Sequence, residues 1–139
     1  MISFNYETTF EIPDESQFSQ WISNVILSEN KKEGDINYIF CDDNYLLQIN
    51  EEYLNHDTLT DIISFDYSVG NELHGDIFIS IERVKENASD FDISFKEELL
   101  RVMAHGILHY CGFKDKTEAD ELIMRNKENE KIKLFHVEQ

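Results

Sequence analysis

Proline occurs once, glycine five times and cysteine twice in the 139 residues of this chain. So little proline and glycine rules out collagen-like, linker-like and low-complexity architectures. Two cysteines, Cys41 and Cys111, are too few for a disulfide scaffold and read as buried thiols. Apolar runs last only a few residues, against the roughly 20 that a membrane helix needs. Met1 to Phe10 has neither the basic nor the apolar region of a secretory signal. These absences predict a cytoplasmic protein with no membrane partner. Positive charge is also scarce, with 12 Lys and Arg against 29 Asp and Glu and a formal net charge of −17. Proteins that bind nucleic acid over a wide surface carry basic patches, because counterion release supplies much of their affinity. DNA is therefore not expected as a partner. An RNA partner would need a local cationic groove or a metal ion, and the remaining acid reads as solvated surface.

What is present suits a folded core. The hydrophobic fraction is 41%, with ten Phe and six Tyr. A chain of this length buries roughly 70% of its unfolded surface, which supports one domain over residues 1–139. Ile2 to Tyr6 alternates as a half-buried strand. Asp14 is placed to cap a helix whose Phe18, Trp21, Ile22, Val25 and Ile26 share one face. Glu33-Gly34-Asp35 reads as a turn before a strand over Ile36 to Phe40. A helix follows from Asp43 to about Tyr53, burying Leu46, Leu47 and the neighbours of Asn50. Strands over Asp61 to Tyr67 and His74 to Ser80 are joined across Val69-Gly70-Asn71. Ser80 opens a short helix to about Ala88. Ser94 with Glu97 forms a capping-box pair before a helix through Leu99, Val102, Met103, Ile107 and Tyr110, and Gly112 is placed to end it. Thr117 with Asp120 starts a last helix carrying Leu122, Ile123 and Ile132. Strands come early and helices late, which predicts an α+β fold with a mixed sheet of about four strands.

The chemistry-bearing stretch is His105-Gly-Ile-Leu-His109-Tyr-Cys-Gly112-Phe-Lys-Asp115. Side chains four apart share a helix face, so His105 and His109 can converge on one ion, and the chain released at Gly112 can bring Asp115 back as a third ligand. Two nitrogens and one oxygen suit a single Zn2+ ion and leave manganese, iron and nickel open. Three protein ligands also leave a position for water, as catalytic sites do. The spacing is that of metzincin-style zinc peptidases, but those place a Glu base after the first His, where this chain has Gly106. Peptide hydrolysis by that route lacks its proton acceptor.

Four ordered motifs carry a wider similarity: Asn50-Glu-Glu-Tyr53, Thr60-Asp-Ile-Ile-Ser-Phe65, Gly75-Asp-Ile77, and His105-Gly-Ile-Leu-His109 with Gly112. Across roughly residues 47 to 125 the chain resembles the YbeY family of metal-dependent endoribonucleases. The resemblance implies a zincin-like α+β fold with the metal-site helix near the C-terminus, zinc, and cleavage of single-stranded RNA in 16S rRNA maturation and ribosome quality control. Ribosomal RNA or ribosomal particles are then the expected partners. The chain departs from the family pattern twice. Asp115 stands where the family has a third His, which lowers the charge of the site by one. Leu54 stands where the family commonly has an Arg suited to clamp a phosphate.

Arg101, one turn before His105, is the candidate replacement cation for binding substrate. Asp61 and Asp76 are candidates to orient a water or to accept a proton from a ligating His. Ser64 has no evident base in sequence. His56 and His136 read as exposed polar residues, and His74 as a candidate for the pocket rim. The expected function is a zinc-dependent endoribonuclease acting on ribosomal RNA. The competing readings are a metal-dependent hydrolase of another substrate and a metal-binding ribosome assembly factor with little catalysis.

Overall fold

The computed structural model describes residues 1–55 and 59–137, so His56 lies outside the described residues. Four strands form one mixed sheet: β1 (Ile2–Tyr6), β2 (Lys32–Cys41), β3 (Ile62–Asp66) and β4 (Glu72–Ser80). Their spatial order is β1-β2-β4-β3, with β1, β2 and β4 mutually parallel and β3 antiparallel to β4. Five helices accompany them: α1 (Glu15–Ser28), α2 (Asp43–Leu54), α3 (Ile81–Asp90), α4 (Phe95–Tyr110) and α5 (Glu118–Val137). This is the expected α+β architecture. Among the described residues no helix is long and apolar enough to cross a membrane.

Local chemistry explains most of these elements. Asp14 accepts from the Gln17 amide, and Phe18, Trp21, Ile22, Val25 and Ile26 are the buried face of α1. The Ser94 hydroxyl accepts from the Glu97 amide at 3.0 Å and starts α4. At the other end of α4, Gly112 adopts φ 100°, and the Phe113 amide reaches back to the Leu108 carbonyl at 3.1 Å. That is a glycine-terminated helix end, satisfied by a bond from beyond the glycine. The main core lies between one face of the sheet and α1, α4 and α5; α4 is buried along most of its length and forms the centre. A smaller apolar cluster of Cys41, Leu46, Ile49 and Ile63 packs under α2, with Phe65 and Phe78 from the other sheet face.

Three local expectations change. Glu33-Gly34-Asp35 is part of β2, not a turn. The register passes from Glu33↔Leu73 to Ile36↔Gly75, so β2 carries one more residue than β4 there. Gly34 makes that bulge possible, because a Cβ on it would strike the Leu73 backbone and the His74 ring. In α2, Leu47 is half-buried while Asn50 itself is buried. In α5, Leu122 and Ile123 are exposed, and the inward face is Met124, Glu128, Lys131, Ile132 and Phe135. Polar residues hold two of those five places, which hid the true face from a reading of apolar spacing alone. Lys131 is wholly buried and donates to Glu29 at 2.6 Å and Ser28 at 2.9 Å.

Both cysteines are free; Cys41 is buried as expected, and Cys111 is only partly so.

Candidate metal centre

His105 and His109 occupy successive turns of α4, and their rings meet edge to face with centroids 4.5 Å apart. The turn after Gly112 returns Asp115 to the same point. The three donor atoms form a small triangle: Nε2 to Nε2 is 2.9 Å, and Oδ2 of Asp115 lies 3.2 Å from His105 Nε2 and 3.3 Å from His109 Nε2. Ligands on a tetrahedral ion at about 2.0–2.2 Å would lie roughly 3.3–3.6 Å apart, and those on one face of an octahedral ion at about 2.1 Å roughly 3.0 Å apart. The triangle therefore fits a divalent cation. Its donor set, two imidazole nitrogens and one carboxylate oxygen, is one that transition metals accept.

Glu128 holds the arrangement from behind. Its Oε2 lies 2.6 Å from Nδ1 of His105, and its Oε1 accepts from Nη1 of Arg101 at 3.1 Å. An ionised carboxylate only accepts, so Nδ1 carries the proton and Nε2 keeps its lone pair for the triangle. Burial works against a charged His105 ring, but Glu128, Asp115 and Asp61 outweigh it and hold the imidazole above its ordinary pKa. The site thus attracts a positive charge at this point, whether proton or metal.

Gly106, between the two histidines, faces the sheet and not the cavity. A Cβ there would sit 3.0 Å from Cδ1 of Ile77 and 3.3 Å from Cδ1 of Ile62. The position that bears the base in zinc peptidases is used here for close helix–sheet packing, and residue 106 carries no side chain to serve as a base.

The triangle stands in the wall of a cavity of about 440 Å3. Asp61, Ser64, Asn87, Phe91, Glu98, Arg101, Arg125 and Glu128 also line it. Asp61 and Arg101 therefore reach the site neighbourhood, but in constrained states. Burial raises the Asp61 pKa, and the nearby His105 charge opposes that rise. Arg101 is already bonded through both terminal nitrogens, to Glu128 and to Asn129 at 2.9 Å. Asp76 is elsewhere. It alternates with Gly75 and Ile77 on β4, points to the sheet face away from α4, and accepts from Asn37 at 3.0 Å beside a different cavity. His74 lines that second cavity, bonded to Glu72 at 2.7 Å, so it is not on the rim of the metal site. His136 is exposed near the end of α5.

Sequence reasoning missed Glu128, Glu98 and Arg125. Glu98 had a usable signal, since it lies on the same α4 stripe as Arg101, His105 and His109. Its buried Oε1 has no hydrogen-bond partner among the described residues, and burial pushes its carboxyl up to about 7. Glu128 and Arg125 come from α5, and no local pattern ties them to α4.

Comparison with known proteins shows the family of the chain. The family model described as Endoribonuclease YbeY matches residues 2–136. The chain is 73% identical to Endoribonuclease YbeY of Flavobacterium psychrophilum over 139 residues, covering 100% of this chain and 99% of that one. It is 42% identical to the Bacteroides thetaiotaomicron protein of the same name over 136 residues, covering 96% and 99% of the two chains. The solution structure of TM1509 from Thermotoga maritima superposes with a TM-score of 0.68 at 23% identity, covering 99% of this chain and 91% of that one; it supports the fold alone. By sequence and architecture together, this chain belongs to the endoribonuclease YbeY family.

Proposed function

We propose that this chain is a zinc-dependent endoribonuclease that cuts single-stranded RNA during 16S rRNA maturation and ribosome quality control, in the cytoplasm and on ribosomal particles. Residues 1–139 would act as one hydrolase domain, with His105, His109 and Asp115 holding one ion. The observation that carries this reading is the donor triangle, with edges of 2.9 to 3.3 Å, in the wall of a cavity. Two imidazoles and a carboxylate favour zinc among the common divalent ions.

An ion held there supplies Lewis acidity for charge building on a scissile phosphate and lowers the pKa of a water. The chain's own residues do the rest. Glu128 holds the His105 ring by its Nδ1 proton, so the ring cannot turn away from the cavity. Arg101 braces Glu128 on its other oxygen. Asp61, half-buried in the same wall, is positioned to accept a proton within the cavity, and its raised pKa suits that exchange. Gly106 keeps α4 against the sheet, which fixes where both rings emerge.

The test is elemental analysis of purified protein with a cleavage assay on unstructured and duplex RNA, beside His105→Ala, His109→Ala and the double variant. About one zinc per chain and cutting of unstructured RNA are expected in wild type. The double variant should lose both while far-ultraviolet circular dichroism stays unchanged, since Ala is the better helix former. Stoichiometric zinc in a folded double variant would reject the ligand assignment. Zinc without RNA cleavage in wild type would favour a hydrolase of another substrate or an assembly factor.

A further inference from the structure

The cavity holds a charge problem. Asp61, Glu98, Asp115 and Glu128 line it, on a chain of net charge −17, and a phosphodiester must enter against them. A metal ion neutralises one phosphate. The neighbouring phosphates of a strand need a cation of their own.

The expected cation, Arg101, is not free to serve. Its terminal nitrogens are bonded to Glu128 and Asn129, and its side chain is 12% exposed. Leu54, at the end of α2, offers no charge. Arg83 is held by Asp43 at 3.1 Å and Glu86 at 2.9 Å. The chain's third arginine, Arg125, behaves differently. It is exposed and lines the metal-site cavity. It also lines an adjoining cavity with His105, Asp115, Glu118 and Glu121. Among the described residues it makes no hydrogen bond and no ion pair. An unpaired guanidinium on a chain with 29 acids, beside two glutamates of its own helix, has a fork of donors available for an incoming anion. Lys114 and Lys116 flank Asp115 in sequence and are exposed. They extend the positive ground along the loop but do not line the cavity.

We propose that Arg125 is the RNA-binding residue of this site, its guanidinium pairing with a backbone phosphate next to the one held at the His105–His109–Asp115 triangle. The proposal rests on the endoribonuclease reading above and adds to it a contact from α5. It supplies from α5 a cation that Leu54, at the end of α2, does not offer. Arginine suits the role because its planar fork meets two phosphate oxygens at once.

Arg125 makes no hydrogen bond or ion pair among the described residues, and its charge acts on Glu98 only through space, so truncating it leaves the fold intact. The experiment uses the zinc-loaded chain and a short unstructured RNA, comparing wild type with Arg125→Ala, Arg125→Lys and Arg125→Glu. Lys133→Ala, exposed on the same helix and outside both cavities, controls for loss of one charge. Arg125→Ala should raise KM and the dissociation constant for RNA roughly tenfold, as loss of a charged hydrogen bond does. Its kcat should stay within about twofold of wild type, and its zinc content should not change. The slope of log affinity against log salt should become shallower by about 0.7, the value for one phosphate on a single strand. Lysine should restore part of the affinity, and glutamate should bind more weakly than alanine. If wild type cuts and binds RNA but Arg125→Ala matches Lys133→Ala in KM and salt slope, the Arg125 assignment is overturned alone. If wild type neither binds nor cuts RNA, the endoribonuclease reading falls and this contact falls with it.

Discussion

Nδ1 of His105 lies 2.6 Å from Oε2 of Glu128, so a ring at the cavity wall is anchored from α5 by a residue 23 positions further along the chain. The same carboxylate binds Arg101, which makes Glu128 the joint between the stripe on α4 and the body of α5.

Replacing Glu128 by Gln keeps its shape and removes its charge. The His105 ring then loses its strongest partner, and metal affinity should fall about tenfold to a hundredfold, the usual cost of losing such a support. Competition with a chromophoric chelator measures this directly. Affinity equal to wild type, on folded protein, would mean that the 2.6 Å contact does not orient the ring.

Asp115 contributes both an oxygen and a negative charge to the triangle. Asp115→Asn retains the oxygen and removes the charge, so zinc should bind more weakly by the same competition assay. Asp115→His brings in the donor common in the family and should retain metal. Unchanged affinity in Asp115→Asn would leave Asp115 as a loop residue only.

Glu98 should show itself in the pH dependence of stability. Burial, helped by the Asp61 charge and opposed by Arg101 and Arg125, lifts its carboxyl from 4.5 to about 7. The folded state therefore favours the protonated acid. That contribution is complete below the unfolded pKa and is lost as pH rises through 7. Glu98→Gln cannot ionise, so relative to wild type it should gain stability between pH 5 and 8, on the order of 2–3 kcal/mol. Urea unfolding at several pH values reads the difference, and parallel curves for the two proteins would contradict it.

The parts of the molecule legible in sequence are those where neighbours along the chain decide the outcome. Asp14 and Ser94 cap the helices they precede, the Phe18-to-Ile26 stripe faces the core, and Gly112 ends α4. The convergence of His105, His109 and Asp115 was legible for the same reason, since one helix and one turn set it. Contacts between distant segments were not. Glu128 is a buried acid on a helix whose inward face mixes apolar and charged residues, so nothing local marks it. Gly34 and Asp35 have turn composition, yet the partner strand β4 takes them into a bulge. Arg101 was read as free because its partners lie 27 and 28 positions further on.

Tyr110, the residue after His109, donates its phenol to the Phe65 carbonyl at 2.9 Å and lies 3.2 Å from the Asp76 carbonyl. The space it occupies exists because residue 75 has no side chain; a Cβ there would collide with the phenol oxygen. Glycine and tyrosine thus work as a lock and its bolt, joining the last turn of α4 to the β3–β4 pair. Each constrains the other, so drift in related sequences should exchange them together or not at all. A single methyl at Gly75, on a strand that contributes nothing to the triangle, would push the bolt out. The disturbance would then emerge one residue away, as a loosened grip on the ion.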